Sequence, residues 1–533
     1  MGCGGSGSGT NQAPVQESNQ GDPSQPAPVQ QITGGVMTYH NNNARTGVYT
    51  AETTLTPANV NVLSFGRVAA IAVQGDIYAQ PLYLPNVQMT DGKNHNVVVI
   101  ATEHDQLYAI DADAKNLLWK KSFLDSEGNV TPVPASDVNC QAITPELGIT
   151  GTPVFDPATL AVYMVVRTKE ISDGQASYYQ RLHAIGITTG QDIAPASVIA
   201  SPGGGEFGAA HFDPLLNLQR SALLLANGQV YVTWASHCDH GSYQGWLMAF
   251  DQRSLQPSAA WTSDPDGSYG GIWMAGGGPS ADANGNIYLA TGNGWSDAMS
   301  GGNNYGDSVV KLRQAAGAFT VVDYFMPFDW EMMFDGDADL GSGGPVLLPA
   351  QPGAPHQHLL TVLSKGGTLY LIDADNMGKW RANNNNQIVQ SFAIDSPGVL
   401  GQEAFWNNTL YFGFGTAESL AYDPNAQQIN PVPVSMSTGI SLGYPGAPTS
   451  ISANGATNAV LWLAQASGAH DGTPAILRAF DPTDLTTELY DSEMSPNRDG
   501  AGPALKFVVP TVADGQVFVG TRSELDIYGL LSK

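Results

Sequence analysis

Three aspartates at alternate positions form the clearest cation-binding pattern in the sequence. Asp335, Asp337 and Asp339 are each separated by one residue and are followed by a glycine-rich stretch. Calcium prefers clustered carboxylate and carbonyl oxygens, so this spacing predicts a calcium site. The stretch differs from an EF-hand loop, because Leu340 stands at the position of the turn glycine and Val346 at that of the final acid. A solvent-exposed acidic turn is the alternative interpretation.

A second group of ligand-type side chains occurs in the run Ser-His-Cys-Asp-His at residues 236–240. Histidine, cysteine and aspartate are common ligands of transition metals. Residues this close in sequence cannot all face one ion without a tight turn, so a hydrogen-bonded loop with Cys238 in a disulfide is the alternative. In either case His237 and Asp239 are candidate ligand-binding residues.

Two glycine-rich segments, residues 270–279 and 291–297, each carry a tryptophan. Glycine allows a ligand or another backbone to approach closely. Trp273 and Trp295 are therefore predicted to form a stacking floor for a planar ring or a sugar, with Asn293 beside them. Packing between neighbouring sheets is the alternative role for these rings.

The element that must position these residues is a short run that recurs along the chain. Each copy is five residues long, is rich in β-branched and aromatic side chains, and in most cases ends in aspartate, as expected of a strand followed by a turn. Self-similarity at a mean period of about 60 residues predicts a β-propeller or a solenoid. The eight copies begin at Leu107, Leu182, Leu247, Val309, Leu369, Ser419, Leu477 and Leu525.

Each copy is the third strand of a four-stranded antiparallel unit, but the eighth unit has no room for a fourth strand before Lys533. A strand at residues 64–73 belongs to no repeat and can fill that place. Pairing both ends of the chain in one blade would leave no open sheet edge. The sequence thus predicts an all-β, eight-bladed propeller over residues 36–533, after a flexible tether at residues 1–35. Seven blades, or an open array, are the alternatives.

The long connections all leave the predicted blades from one face, and function on a rigid scaffold concentrates in such loops. A small molecule or a protein is therefore the expected partner at this loop-rich face. Lys365 and Arg522 follow second strands near the central channel and are candidates to bind an anion there. Scattered surface charge is the alternative interpretation of these two residues.

Composition restricts the partners and the compartment. The formal net charge is −27, which disfavours nucleic acid. The start Met-Gly-Cys resembles that of a mature bacterial lipoprotein, so Cys3 is a candidate lipidation site and the only expected link to a membrane. An N-myristoylation pattern, or a plain glycine-rich start, is the alternative. Cys140 and Cys238 then remain as an even pair and are predicted to form a disulfide in an oxidising, extracytoplasmic compartment. We expect a monomer.

Residues 98–119, which contain Leu-Tyr-Ala-Ile-Asp and end in Trp119, resemble the repeat of pyrroloquinoline-quinone (PQQ) propellers. The resemblance implies the propeller fold and two kinds of function. One is a PQQ- and calcium-dependent dehydrogenase of alcohols or sugars, and the other is an outer-membrane assembly scaffold. Alcohol-oxidising members place two adjacent cysteines over the quinone, and this chain has no such pair. The leading hypothesis is therefore ligand or partner binding without expected quinone turnover. No cofactor is assigned from the residues; calcium is a candidate at the aspartate cluster, and PQQ is expected only if the protein is an enzyme.

Overall fold

The computed structural model describes residues 1–2, 32–200, 205–207, 210–394, 398, 400–469 and 471–532. Its regular structure consists almost entirely of small antiparallel sheets arranged as eight blades. This confirms the predicted all-β, eight-bladed propeller. Cys3 and most of the predicted tether lie outside the described residues. Within the described part of the chain, no helix is long and apolar enough to cross a membrane.

The blades follow one another along the chain, and in blades 1 to 7 the innermost strand comes first in sequence. Blades 1 to 4 consist of Leu82–Gln88, Asn94–Thr102, Gln106–Asp111 and Asn116–Ser122; Val154–Asp156, Ala161–Ser172, Gln175–Gly186 and Ser197–Ala200; Leu224–Ala226, Gln229–Ser236, Trp246–Asp251 and Pro257–Thr262; and Ser280–Ala281, Asn286–Ala290, Val309–Ala315 and Ala318–Phe325.

Blades 5 to 7 repeat this order, and blade 8 is completed from the start of the chain. Their strands are Val346–Leu347, Leu359–Leu363, Thr368–Asp373 and Gln390–Ala393; Ala404–Trp406, Thr409–Phe414, Thr416–Asp423, Gln428–Ile429 and Ser435–Met436; Thr449–Asn454, Thr457–Gln465, Ile476–Phe480 and Glu488–Asp491; and Thr511–Ala513, Gln516–Leu530 and Phe65–Asp76.

The connections contain a few shorter elements. Additional strands are Val48–Tyr49, Val130–Pro134, Glu146–Leu147, Gly205–Phe207, Ala210–Phe212 and Asn217–Leu218; the short helices are Ala135–Asp137, Met274–Gly276, Ala298–Ser300, Trp330–Asp335, Leu340–Ser342, Ser492–Met494 and Pro496–Asp499.

The closing strand, Phe65–Asp76, pairs antiparallel with the last strand of the chain, Gln516–Leu530. The first half of that last strand pairs with Thr511–Ala513 and its second half with the closing strand, so its halves take the second and third places in blade 8. Phe65 is fully buried there, 5.0 Å from the ring of Tyr490 between centroids. The predicted closure of the ring is therefore confirmed.

Residues 36–52 form a second segment that joins the blades, here called the N-terminal strap. Its residue Arg45 is fully buried, and its guanidinium donates to the carbonyl oxygens of Pro279 and Tyr39 at 2.9 Å and of Leu223 at 3.1 Å. The strap meets blades 1 to 8 in order, through Val36–Tyr83, Met37–Phe155, Asn43–Leu225, Asn43–Ala281, Ala44–Leu347, Thr46–Phe405, Gly47–Ile451 and Glu52–Gly515 hydrogen bonds.

Candidate functional site

A cavity of about 410 Å³ lies where loops of several blades meet over the central channel. The loops that follow the second strands of blades 3, 4 and 5 supply Asp239, Asn293 and Lys365, and connections between blades supply others. A larger groove of about 680 Å³ lies between the outer strands of blades 3 and 4, but no acid or base other than tyrosine lines it. The central cavity is therefore the candidate site.

Aromatic rings form one wall of the cavity. Trp273 lies 6.3 Å from Phe507 between ring centroids, at an interplanar angle of 61°. The two residues after Trp273 adopt left-handed backbone angles, with φ of 41° at Met274 and 46° at Ala275. Such strain in non-glycine residues is costly and persists where the surrounding structure fixes it, as at ligand sites. The strained backbone next to Trp273 therefore marks this wall of the cavity as a candidate ligand site.

Two cations lie against the same aromatic wall. The Arg220 guanidinium carbon is 5.4 Å, and the Lys506 Nζ 5.6 Å, from the Phe507 ring centroid. Neither side chain has a carboxylate within ion-pair distance among the described residues. Arg220 is 5% exposed, and its Nη2 has no hydrogen-bond partner. Buried charges are normally paired, so this end of the cavity lacks an anion.

Two carboxylates and an ammonium group form another part of the cavity wall. Lys365 Nζ lies 2.7 Å from Asp337 Oδ1 and 3.3 Å from Asp339 Oδ2. The Asn293 backbone N–H donates to Asp339 Oδ1 at 2.9 Å, and its side-chain Nδ2 donates to Asp337 at 3.0 Å. The Asn293 side-chain oxygen is buried and has no hydrogen-bond partner among the residues that the structure describes. It is therefore free to accept a hydrogen bond from a ligand.

Gly292 joins the carboxylate region to the aromatic wall. A Cβ atom at this position would lie 2.6 Å from Asp339 Oδ1 and 3.3 Å from the indole nitrogen of Trp273. Any side chain here would therefore push the carboxylate away from the ring. The glycine-rich segment of blade 4 thus brings Asp339 and Trp273 close together.

Burial changes the acid–base properties of the site. Desolvation raises the pKa of the Asp339 carboxyl above its ordinary value, and the hydrogen bond from Asn293 and the charge of Lys365 oppose that rise. Asp339 is 7% exposed, whereas the neighbouring Asp337 side chain is 68% exposed. A buried carboxylate with a raised pKa in a cavity is the usual form of a general base.

The cavity does not fit a calcium ion with the residues it presents. Calcium takes about six to eight oxygen ligands, whereas Asp337, Asp339 and Asn293 offer side-chain oxygens here and Lys365 already bridges the two carboxylates. The described residues contain no group of three or more His, Cys, Asp or Glu residues that could hold a metal ion. We therefore derive no chemistry from a metal.

The disulfide between Cys140 and Cys238 forms a further part of the cavity wall. It joins a blade 1–2 connection to a blade 3 loop, and the Cα atoms are 5.8 Å apart. Next to it, His237 is 3% exposed and its Nε2 contacts the Arg167 guanidinium. Burial and Arg167 lower the pKa of His237 well below its ordinary value, so this ring stays neutral and accepts from the arginine.

Comparison with known proteins identifies the fold. No protein-family model and no curated protein matches the chain. Among solved structures, quinohemoprotein alcohol dehydrogenase ADHIIG from Pseudomonas putida HK5 matches with a TM-score of 0.60 and 15% identity, over 94% of this chain and 81% of that one. The quinohemoprotein alcohol dehydrogenase from Comamonas testosteroni matches with a TM-score of 0.62 and 14% identity, over 95% and 81%. The chain folds as a PQQ-like β-propeller. A europium-containing methanol dehydrogenase is also similar, at a TM-score of 0.51 and 12% identity over 91% and 81%.

The PQQ-like propeller brings most of the sequence-predicted site residues together. Nine of them line the central cavity and come from loops of different blades. They are Cys140, His237, Cys238, Asp239, Trp273, Asn293, Asp337, Asp339 and Lys365.

Three predicted residues lie elsewhere. Asp335 ends the helix Trp330–Asp335, is exposed, and does not line the cavity, so the structure divides the predicted aspartate trio. Trp295 lies in a separate cleft and therefore does not share a floor with Trp273. Arg522 also lies outside the cavity; its Nε is 3.6 Å from Asp76, and its Nη2 donates to the Ala469 carbonyl oxygen.

Sequence reasoning missed Arg220, Lys506 and Phe507, which also line the cavity of the propeller. Each lies in a connection between blades, outside the repeated strands, so the period does not mark it. The available signal was the scarcity of basic residues, 21 in a chain with 48 acidic ones. Each lysine or arginine in a loop of the loop-rich face was therefore a candidate to bind an anionic ligand.

The disulfide gives a first testable prediction. Alkylation of the unreduced, unfolded protein should leave Cys140 and Cys238 unlabelled, as mass spectrometry of the peptides would show. Reduction, or the double substitution to serine, should lower the free energy of unfolding by about 2–4 kcal/mol, because the bridge closes a long loop, with 98 residues of sequence separation. Labelling of both cysteines without reductant would contradict the bridge.

Proposed function

We propose that the central cavity binds a planar quinone cofactor that carries carboxylates, with PQQ as the candidate, and that the protein oxidises an alcohol or sugar hydroxyl there. The observation that carries the proposal is a pair of cations, Arg220 and Lys506, that lines the cavity beside Trp273 and has no carboxylate partner among the described residues. In a chain with a net charge of −27, unpaired cations at one place indicate a polyanionic ligand.

Each part of the cavity has a role in holding such a cofactor. Trp273 offers an aromatic face for stacking, and Arg220 and Lys506 would pair with carboxylates. The disulfide of Cys140 and Cys238 encloses the cavity from another part of its wall. When bound, PQQ supplies the two-electron acceptor of the oxidation.

Asp339 is the residue placed to accept the proton of the substrate hydroxyl. It is buried, lines the cavity and lies close to Trp273 across Gly292. The side-chain oxygen of Asn293 can accept a hydrogen bond from another hydroxyl of the substrate and so orient it. Lys365, which is ion-paired to Asp339, would stabilise negative charge that develops on the oxygen.

Ligand binding without turnover is the second candidate. It is favoured because the side chains around Lys365 offer too few oxygen ligands for the calcium ion of a PQQ- and calcium-dependent dehydrogenase. The two candidates share the binding step and differ only in the oxidation. The proposed location is outside the cytoplasm, supported by the disulfide and by the lipoprotein-like start of the sequence. Lipidation at Cys3 belongs to the same proposal.

Binding is tested by titrating the protein with PQQ and following tryptophan fluorescence and calorimetric heat. We expect saturable binding with one site per chain. Replacing Lys506 by methionine should weaken binding about tenfold or more, because a carboxylate loses its partner inside the cavity. Lys93→Met is the matched control, since Lys93 is exposed in a turn of blade 1 and should leave the affinity unchanged.

The pH dependence of binding provides a further check on Lys506. Burial, together with the charge of Arg220, lowers the pKa of the Lys506 ammonium to about 8. The ammonium is therefore present below that pH and is lost above it, so the affinity for PQQ should fall as pH rises through about 8. The methionine variant should lack this step. Absence of saturable PQQ binding at any pH would refute the proposed function.

A further inference from the structure

We infer that the protein has a second ligand site that binds a saccharide, in a cleft of about 310 Å³ outside the central cavity. The tryptophan cleft, as we name it, is lined by three tryptophans, a phenylalanine and two carboxylates. Its principal residues are Trp295, Trp330, Trp380, Phe328, Asp297 and Glu331.

Three separate segments build the tryptophan cleft. The loop between Asn286–Ala290 and Val309–Ala315 supplies Trp295, and the helix in the blade 4–5 connection supplies Trp330. Trp380 follows the third strand of blade 5, in a segment that runs back beside Ala318–Phe325; there the Lys379 N–H donates to the Tyr324 carbonyl oxygen at 2.9 Å. Segments distant in sequence thus place three indoles around one cleft.

The indole rings present an open aromatic face. Trp330 is 5% exposed and forms the fixed wall, whereas Trp295 is 56% exposed. The two rings meet nearly at right angles, with centroids 5.7 Å apart and an interplanar angle of 85°. A tryptophan side chain rarely leaves so much of its surface in water, and exposed aromatic surface at a cleft marks a binding site.

The polar groups of the cleft identify the ligand chemistry. The Trp380 indole N–H is buried and has no hydrogen-bond partner in the described part of the chain, and an acceptor would stabilise it. Asp297 and Glu331 line the same cleft with carboxylates; the oxygens of Asp297 already accept from Asn304 and can each accept a further hydrogen bond.

A hydroxyl group accepts from the indole and donates to a carboxylate, and a sugar ring also presents C–H groups to an aromatic face. A quaternary ammonium ion would suit the aromatic rings but offers no acceptor to Trp380. The carboxylates also disfavour a phosphate ester. A neutral saccharide therefore satisfies all the groups of the cleft.

This inference is independent of the proposed function. The tryptophan cleft and the central cavity share no lining residue, although the same two loops contribute to both. Asn293 and Trp295, from one loop, line different sites. A failure of PQQ binding would leave the cleft unaffected.

The test is calorimetric titration of the full chain with three probes: β-1,4-linked glucose, α-1,4-linked glucose and β-1,4-linked N-acetylglucosamine oligosaccharides. We expect saturable binding of at least one, and Trp295→Ala should weaken it about tenfold or more. Because Trp295 is largely exposed, this variant should melt at the temperature of the unmodified protein. Val432→Ala is the control, since Val432 is 66% exposed and lines neither the tryptophan cleft nor the central cavity.

The outcomes separate the possible ligands. Binding that is weakened by Trp295→Ala and unchanged by Val432→Ala supports the saccharide site. Equal affinity of the Trp295→Ala variant for the sugars would overturn it, and so would an absence of binding by all three probes. Binding of choline in place of the sugars, lost in the Trp295 variant, would also overturn it in favour of a cation cage.

Discussion

A chain that lacks residues 1–75 is expected to lose the cooperative folding of the whole propeller. The deletion removes almost all of the closing strand and the entire N-terminal strap. It exposes the paired edge of the last strand and a cluster in which Phe65 packs 5.5 Å from Trp462 and 5.0 Å from Tyr490 between ring centroids. Loss of a buried phenylalanine alone costs about 3–5 kcal/mol, and the total stability of a domain is only about 5–15 kcal/mol.

Thermal unfolding followed by circular dichroism measures this effect. The matched control is a chain that lacks residues 1–31, a segment whose composition predicts a tether, and we expect it to melt like the full chain. A peptide of residues 32–78 added to the truncated chain should restore part of the transition. An unchanged melting temperature after deletion of residues 1–75 would show that the ring is stable without closure.

Asp339→Asn is expected to abolish alcohol or sugar oxidation while it preserves PQQ binding. The amide keeps the shape and can still accept from the Asn293 backbone N–H, but it cannot take a proton. Loss of a general base typically costs about a hundredfold to ten-thousandfold in rate. The measurement is dye-linked oxidation across alcohols and sugars, with the PQQ affinity determined on the same preparations.

The control for this substitution is Asp335→Asn, because Asp335 lies four positions earlier, is exposed and does not line the cavity. It should oxidise at the rate of the unmodified protein. In the unmodified protein the rate should rise with pH through the raised pKa of Asp339, since the base must lose its proton first. Unmodified protein that binds PQQ but oxidises nothing would leave binding without turnover as the function.

The fold was predictable because one strand pattern recurs along the chain and each copy marks one blade. The third-strand run marked each blade, and the missing fourth strand in blade 8 predicted the role of residues 64–73, observed as Phe65–Asp76. The contacts of the strap with all eight blades were not predicted, because residues 36–52 bond mainly through their backbone and carry no period. A local sequence pattern cannot show a segment whose partners belong to eight separate blades.

The site was predictable where loops of adjacent blades converge, as for Trp273, Asn293 and Asp339. It was not predictable where the direction of a side chain determines which site the residue lines. Asn293 and Trp295 are two residues apart yet line different sites. Arg220 is a candidate ligand-binding residue because its guanidinium lacks a carboxylate partner among the described residues, and only the three-dimensional arrangement reveals this.

The N-terminal strap also restricts when the protein can finish folding. Its residues leave the ribosome early, yet Glu52 accepts from the backbone N–H of Gly515, and the Tyr49 hydroxyl donates to Asp514. Those partners are synthesised more than 400 residues later, a delay of tens of seconds or more at about 5–20 residues per second. The end of the strap and the closing strand Phe65–Asp76 must therefore wait unpaired, and such edges invite aggregation. We expect the nascent chain to depend on chaperones that cover these edges until the last blade arrives.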